Sequence, residues 1–452
     1  MKNKINFTYT QEFLKNYCDE IIAKALKYGA TACKVEINEI ISHDIAILNQ
    51  SIENFETSYG CSMSIVVFVG DKKGSSAITS LTKTNIDNTI QHAIEIAKYT
   101  ENDPANGLPE KKFLANNNII HEIDLDLYHV NQNNNNDIIN NLKELENLSI
   151  NKNNKIFISD GTSFHNSYYN FRLANSNGFN SGYFTSRYNK GINLIAKTSD
   201  GMQIDYCYTS KRNYDDLEDN NKLANKINYK LSRRLKKTAI KTGVYNVIFE
   251  TDIAKSIISN FFAAINGTNI FRNLSFLNNS IHKQIFPEWL TISENPFESR
   301  GLASCFFDTE GVIVSKKDIV TNGILNTYLL NNYTAKKLQL NLTGNAGGTH
   351  NVYVSNNFNG NLNSLAKELF NGLIIIETIG HGINIVTGDY SVGASGLVVT
   401  NGEICDFIEN FTISGNLKNI FNNIKYIAND YTHSSLNCGS MLVENIKIAS
   451  NE

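Results

Sequence analysis

What the sequence lacks narrows its class first. No stretch of its 452 residues reaches about 18 consecutive apolar residues, the length a membrane-spanning helix needs. The opening "MKNKINFTYTQEFLKNYCDE" has no apolar core of the kind a secretory signal carries. Seven cysteines are scattered, odd in number and without a CxxC pair, which fits free thiols in a reducing compartment rather than a disulfide framework. No sign of charge dominates: 41 Lys and Arg face 44 Asp and Glu, a net charge of -3, so nothing electrostatic calls for nucleic acid. These absences point to a cytoplasmic protein with neither a membrane nor a nucleic-acid partner.

Catalytic signatures are missing as well. There is no G-K-[ST] phosphate loop and no G-x-S-x-G elbow; "SVGASG" (Ser391–Gly396) matches the elbow only loosely. "HEIDLDLYH" separates His121 from His129 by eight residues. On a helix that is about 12 Å of rise, too far for both imidazoles to reach one zinc ion. "KLSRRLKKTAIK" gathers Lys230, Arg233, Arg234, Lys236, Lys237 and Lys241, and reads as the cationic C-terminal end of a helix.

What is present is an alternation of periods. "QEFLKNYCDEIIAKALKYGA" puts Phe13, Tyr17, Ile21 and Ala25 on one helical face. "CKVEINEI", "HDIAILNQSIENFE" and "CSMSIVVFVGDKKGSSAITS" alternate as strands, with Gly70–Gly74 as a hairpin turn. "TNIDNTIQHAIEIAKYT" is helical, with Ile86, Ile90, Ala93, Ile94 and Ala97 inward. Asn177-Gly178 and Asp200-Gly201 predict tight turns of an antiparallel meander. A strand in "KTGVYNVIFE" resets the pattern near Thr242, followed by the helix "DIAKSIISNFFAAI" and short strands with glycine turns. The expected fold is α+β with two domains, 1–241 and a mostly β domain 242–452, each an antiparallel sheet with flanking helices.

"ETIGHGINIVTGDYSVGASG" (Glu377–Gly396) concentrates Gly380, Gly382, Gly388, Gly393 and Gly396 in a strand-like stretch. Glycine in a strand marks a bulge, a turn or a close backbone approach. An exposed edge of that kind accepts an extended peptide by strand addition. Gly347, Gly348, Gly388, Asp389, Tyr390, Gly393, Ser395 and Gly396 are therefore candidates for contact with a peptide or partner, Gly347 and Gly348 coming from "GNAGGTHN".

Nine strings in order along the chain carry a family resemblance: "AKYTENDP", "SDGTSFHNS", "LANSNGF", "WLTISENP", "RGLASCFFDTEGV", "GNAGGTHN", "TGDYSVGASG", "ISGNLKNI" and "CGSMLVENIKIA". The sequence resembles the PmbA (TldE) branch of the TldD/PmbA metalloprotease family, peptidase group U62. The resemblance implies pairing with a TldD-like subunit into a cytoplasmic protease for short or unfolded peptides, with roles in peptide maturation and antitoxin degradation. It also implies that zinc belongs to the partner, held there by an H-E-x-x-x-H helix and a cysteine near the C-terminus. The corresponding helix here is Asp252–Ile265, with the motif falling near Ser259–Ala264, and it contains no His and no Glu. Cys438 matches the cysteine. Hence no metal and no catalytic residue are expected in this chain, which would shape the peptide channel. Two alternatives stand beside this reading. One is a metallopeptidase with the unorthodox ligands His381, Cys438 and Glu377, and the other is a regulatory binding protein.

Overall fold

The computed structural model describes residues 5–151, 157–198 and 201–450. Its contacts divide into two compact units. The first holds Met1–Leu231 with Phe297–Val314 and Asn331–Gly347. The second holds Ser232–Pro296, Ser315–Leu330 and Gly348–Glu452. Neither unit is one continuous stretch, and nothing in the hydrophobic periodicity marks the two later segments that join the first. The architecture is α+β, with antiparallel sheets and flanking helices.

The first unit is built on six strands: β1 Ala32–Leu48, β2 Ser51–Val69, β3 Lys72–Ile78, β4 Phe157–Asn175, β5 Asn180–Thr198 and β6 Gly201–Lys211. They pair antiparallel in the order β3-β2-β1-β4-β5-β6. Its helices are α1 Gln11–Lys27, α2 Lys83–Tyr99, α3 Ile119–Glu122, α4 Asn135–Asn151 and α5 Asn220–Ser232. The helix α2 buries the five residues its periodicity selects, plus Thr89. In α1 the buried face is rotated: Leu14 and Cys18 go inward with Ile21, Ile22 and Ala25, while Phe13 stays 44% exposed. Phe13 stacks between Tyr9 and Tyr17 at the rim, where flat rings bury area without entering the aliphatic core. That core joins α1 and α2 to Val35, Ile37, Ile65 and Val67.

One turn escaped the sequence reading. "HDIAILNQSIENFE" reads as a single strand, but the chain reverses at Asn49 and Gln50, with φ of 50° and 62°. The buried carboxylate of Glu146 in α4 accepts the N–H groups of both, at 2.9 and 2.7 Å. Three charge-assisted bonds, counting the Gln50 amide, hold a left-handed turn that Gln rarely takes alone. The Asn177-Gly178 turn joins β4 to β5. Asp200 of the other expected turn lies outside the described residues.

In the second unit, β7 Gly243–Phe249 leads into α6 Thr251–Ala264. A small sheet comprises β8 Ile292–Glu294, β9 Lys317–Thr321, β10 Ile324–Leu325, β11 Val352–Val354 and a later strand, β16 Leu436–Asn437. The larger sheet comprises β7, β12 Gly372–Ile379, β13 Asp389–Thr400, β14 Glu403–Asn416, β15 Ile424–Ile427 and β17 Met441–Ala449. Its order is β14-β13-β12-β7-β17-β15, and β14 also pairs with β17 through Thr412–Ser414. Five strands therefore close into a barrel. The barrel is antiparallel except for the β7–β12 pair, which the helical crossover after β7 makes feasible. Ile248, Ile374, Leu397, Phe407 and Leu442 belong to one core cluster of this unit.

Gly396 shows why this barrel needs glycine. A Cβ there would stand 2.3 Å from the Ile374 carbonyl oxygen of β12, where a bulge at Ile375/Glu377 draws the strands together. At Gly393 the corresponding contact is 3.4 Å, an ordinary distance. Gly396→Ala is expected to cost about 1–3 kcal/mol in urea unfolding, and Gly393→Ala within about 0.5 kcal/mol. Equal effects would refute close strand approach as the reason for Gly396.

Candidate functional site

The glycine-rich stretch is the β12–β13 hairpin and its loop. Asp389, at the start of β13, accepts Thr387 Oγ1 at 2.7 Å, and its bonds from Thr387 and Asn416 hold its carboxyl below the usual range. Tyr390 and Ser395 are buried, and burial pushes the Tyr390 hydroxyl up to about 12. The expected peptide edge is not there. From Gly393 onward β13 pairs with β12, it pairs with β14 along its length, and Ser391 N–H is taken by Gly382 O of the loop. A strand paired on both sides offers no backbone groups to an incoming peptide. Gly382 and Gly396 admit the chain's own backbone instead, with Ser391 O and Ile374 O where a Cβ would stand.

Gly347 and Gly348 fall in different units. On the first-unit side, the loop is held by Asp308, whose carboxylate accepts N–H from Glu310 and Val312 at 2.9 Å each and from Ala346 at 3.1 Å. Burial pushes this carboxyl up to about 7, against the N–H donors that favour its charge, and the Glu310 carboxylate adds to the rise.

The metal question turns on donor chemistry. α6 presents Ser259 to solvent and packs Phe261 and Ala264 inward; its one carboxylate, Asp252, sits in the first turn, and Ser259–Ala264 holds no zinc-ligating side chain. Cys438 is fully buried, and burial pushes its thiol up to about 12; Lys255 of α6 counters this only in part. His381 is exposed in the hairpin loop, and Glu377 is engaged by Arg234 at 2.8 Å. Among the described residues, no three His, Cys, Asp or Glu side chains gather as a ligand set. The residues present do not fit a zinc ion.

Sequence reasoning missed what surrounds Cys438. Asp430 accepts both Ser440 N–H at 2.7 Å and Ser440 Oγ at 2.8 Å, and Ser440 Oγ lies 3.5 Å from Thr251 Oγ1 at the start of α6. The segment thus meets α6 at its first turn, ahead of the Ser259–Ala264 region expected to carry the motif. Long-range pairing of this kind leaves no local signal in the sequence. The basic run is also resolved. Arg233, Arg234, Lys236 and Lys237 pair with Glu250, Glu377, Asp406 and Glu409, and Lys230 pairs with Asp205. Charges matched in this way do not form a free phosphate-binding patch. His121 is exposed on α3, and His129 turns back to Asp126 at 3.2 Å.

Family models for the PmbA/TldA metallopeptidase domain 1, central domain and C-terminal domain match residues 33–97, 128–241 and 242–450. The chain belongs to the PmbA/TldD family of metallopeptidases. It is 37% identical over 429 residues to the metalloprotease PmbA homolog of Haemophilus influenzae, covering 94% of each chain. To the metalloprotease PmbA of Escherichia coli it is 34% identical over 443 residues, covering 97% of each. These relatives set it on the PmbA branch. The solved structure of TldE from Thermococcus kodakarensis shares the fold, with a TM-score of 0.82 at 18% identity over 96% of this chain and 99% of that one.

Two measurements probe this geometry. At pH 8 iodoacetamide should modify exposed Cys405 in the native protein and leave Cys438 untouched until unfolding; rapid native labelling of Cys438 would contradict its burial. Asp308 has a folded-state value raised from 3.8 to about 7. The stability this raised value confers is therefore complete at low pH and is lost as pH rises from about 4 toward about 7. Asp308→Asn should flatten that part of the pH profile of the urea midpoint; an unchanged profile would show that Asp308 does not titrate there.

Proposed function

We propose that this chain is a non-catalytic subunit of a PmbA/TldD-type zinc metalloprotease. It pairs with a TldD-like subunit that carries the zinc, and it helps to hold short or unfolded peptides for cleavage in the cytoplasm. The observation that carries the reading is the composition of the expected metal position: Ser259–Ala264 of α6 holds no His, Cys, Asp or Glu, and no three such side chains gather around Cys438 among the described residues. A zinc-bound water needs several protein ligands to hold the ion and a base to take its proton, and neither is gathered among the described residues. Membership of the metallopeptidase family supports peptide hydrolysis as the activity of the assembly. Among the described residues no helix is long and apolar enough to cross a membrane.

The test is zinc content and peptide hydrolysis for the chain alone and after mixing with a TldD-like subunit. The expected result is no stoichiometric zinc and no cleavage alone, with chelator-sensitive cleavage on mixing. One zinc per isolated chain with cleavage by that chain would overturn the proposal and return attention to His381 and Cys438.

A further inference from the structure

The edge expected at β13 is closed, but another strand edge in the first unit is open. β5 is longer than its neighbour: β6 pairs only with Tyr188–Thr198, leaving Asn180–Arg187 with β4 on one side and no strand on the other. In an antiparallel strand, alternate residues turn their N–H and C=O groups to the same side. Here the even-numbered residues face the unpaired side, because Ser186 N–H reaches Leu127 O at 2.9 Å and Asn180 N–H reaches Asn117 Oδ1 at 2.8 Å. The irregular segment supplying those two acceptors bridges the edge at both ends. Between them, the outward backbone groups of Gly182 and Phe184 have no hydrogen-bond partner among the described residues.

These two residues line a cleft of about 950 Å³, walled by Ile120, Ile123, Tyr128 and Phe306. That volume is at the upper end of the range for ligand sites. The strand is fixed by residues that themselves line the cleft. Arg172, 6% exposed, donates to Asn180 Oδ1 at 2.6 Å, Asn180 O at 3.0 Å and Gln11 Oε1 at 2.9 Å, tying β4, β5 and α1 together. Gly182 admits a close approach: a Cβ there would stand 2.3 Å from Phe171 O and 2.7 Å from Gln11 Oε1. Its N–H and C=O pair and that of Phe184 repeat at two residues of strand rise, about 7 Å. An extended peptide repeats its own donor and acceptor pairs at the same interval, a match few other ligands provide. The lining is mixed: Lys15, Asp19, His121 and Asp124 stand beside the apolar residues, so the walls offer both apolar and charged contacts to its alternate side chains.

We propose that this cleft binds an extended peptide segment as an added strand along β5, hydrogen-bonded to the backbone of Gly182 and Phe184. The site deepens the proposed function by giving this subunit its own hold on peptide. Its test needs neither metal nor partner subunit, so the two readings fail separately.

The probe is a capped hexapeptide of alternating threonine and valine, titrated into the full chain while amide hydrogen exchange is followed residue by residue. Gly182 is buried and Phe184 half-buried in the free protein, so the readout is the change: both amides should exchange at least tenfold more slowly at saturation than without peptide. The same peptide with every amide N-methylated, which removes the donors and keeps the side chains, should bind at least tenfold more weakly. Asn118→Trp, at an exposed position lining the cleft, should weaken binding similarly without changing the thermal unfolding midpoint. No binding at millimolar peptide would overturn the proposal. So would binding that leaves the two amides unprotected, equal binding of the methylated peptide, or protection of both amides before peptide is added.

Discussion

The pairing of β14 with β17 at Thr412–Ser414 turns the larger sheet of the second unit into a closed barrel. Once the ring is shut, β13 has β14 on one side along its length and β12 on the other from Gly393 onward. The glycines of the Thr387–Gly396 stretch then have a structural reason: closure and the bulge in β12 bring backbones to within a distance that excludes a Cβ at Gly396. The position of Cys438 follows from the same constraint. It lies just before β17, is fully buried, and faces a protein interior that keeps it protonated.

The first unit meets the same need for backbone partners differently. Its open sheet uses buried carboxylates to hold irregular chain. Glu146 takes the Asn49–Gln50 turn, Asp308 takes three N–H groups from two loops, and Glu39, fully buried, accepts from Tyr59, Asn170 and the N–H groups of Thr8 and Tyr9. Each is a carboxyl group without a cation in its hydrogen-bond set, satisfied by several oriented donors; at Asp308 burial still outweighs them and raises the group to about 7. The segment 117–129 serves the β5 edge with a side chain at one end and a carbonyl at the other, and the gap between them is where the sheet remains unfinished.

Much of the fold was legible in the residues. The face of α2, the strands of the meander and the Asn177-Gly178 turn follow from local periodicity and turn chemistry, which act over a few residues. The face of α1 was legible only to within a small rotation, because periodicity does not say whether aromatic or aliphatic residues take the centre. The Asn49–Gln50 reversal was hidden, since its stabilising partner lies about a hundred residues away in Glu146. At the candidate site, the absence of ligand types in α6 was readable directly. The pairing state of β13, the ion pairs that occupy the basic run, and the meeting of Ser440 with the first turn of α6 were not.

The sequence by itself determined the α+β class, the family and the lack of His and Glu in α6, because those depend on residue identity and on short-range spacing. The tertiary structure alone decided which strand edges are closed and which is open, and whether Cys438 is a thiol or a thiolate. Backbone pairing and burial are set by residues far apart in the chain. Every residue but proline carries the same N–H and C=O, so no side-chain pattern records where they find their partners.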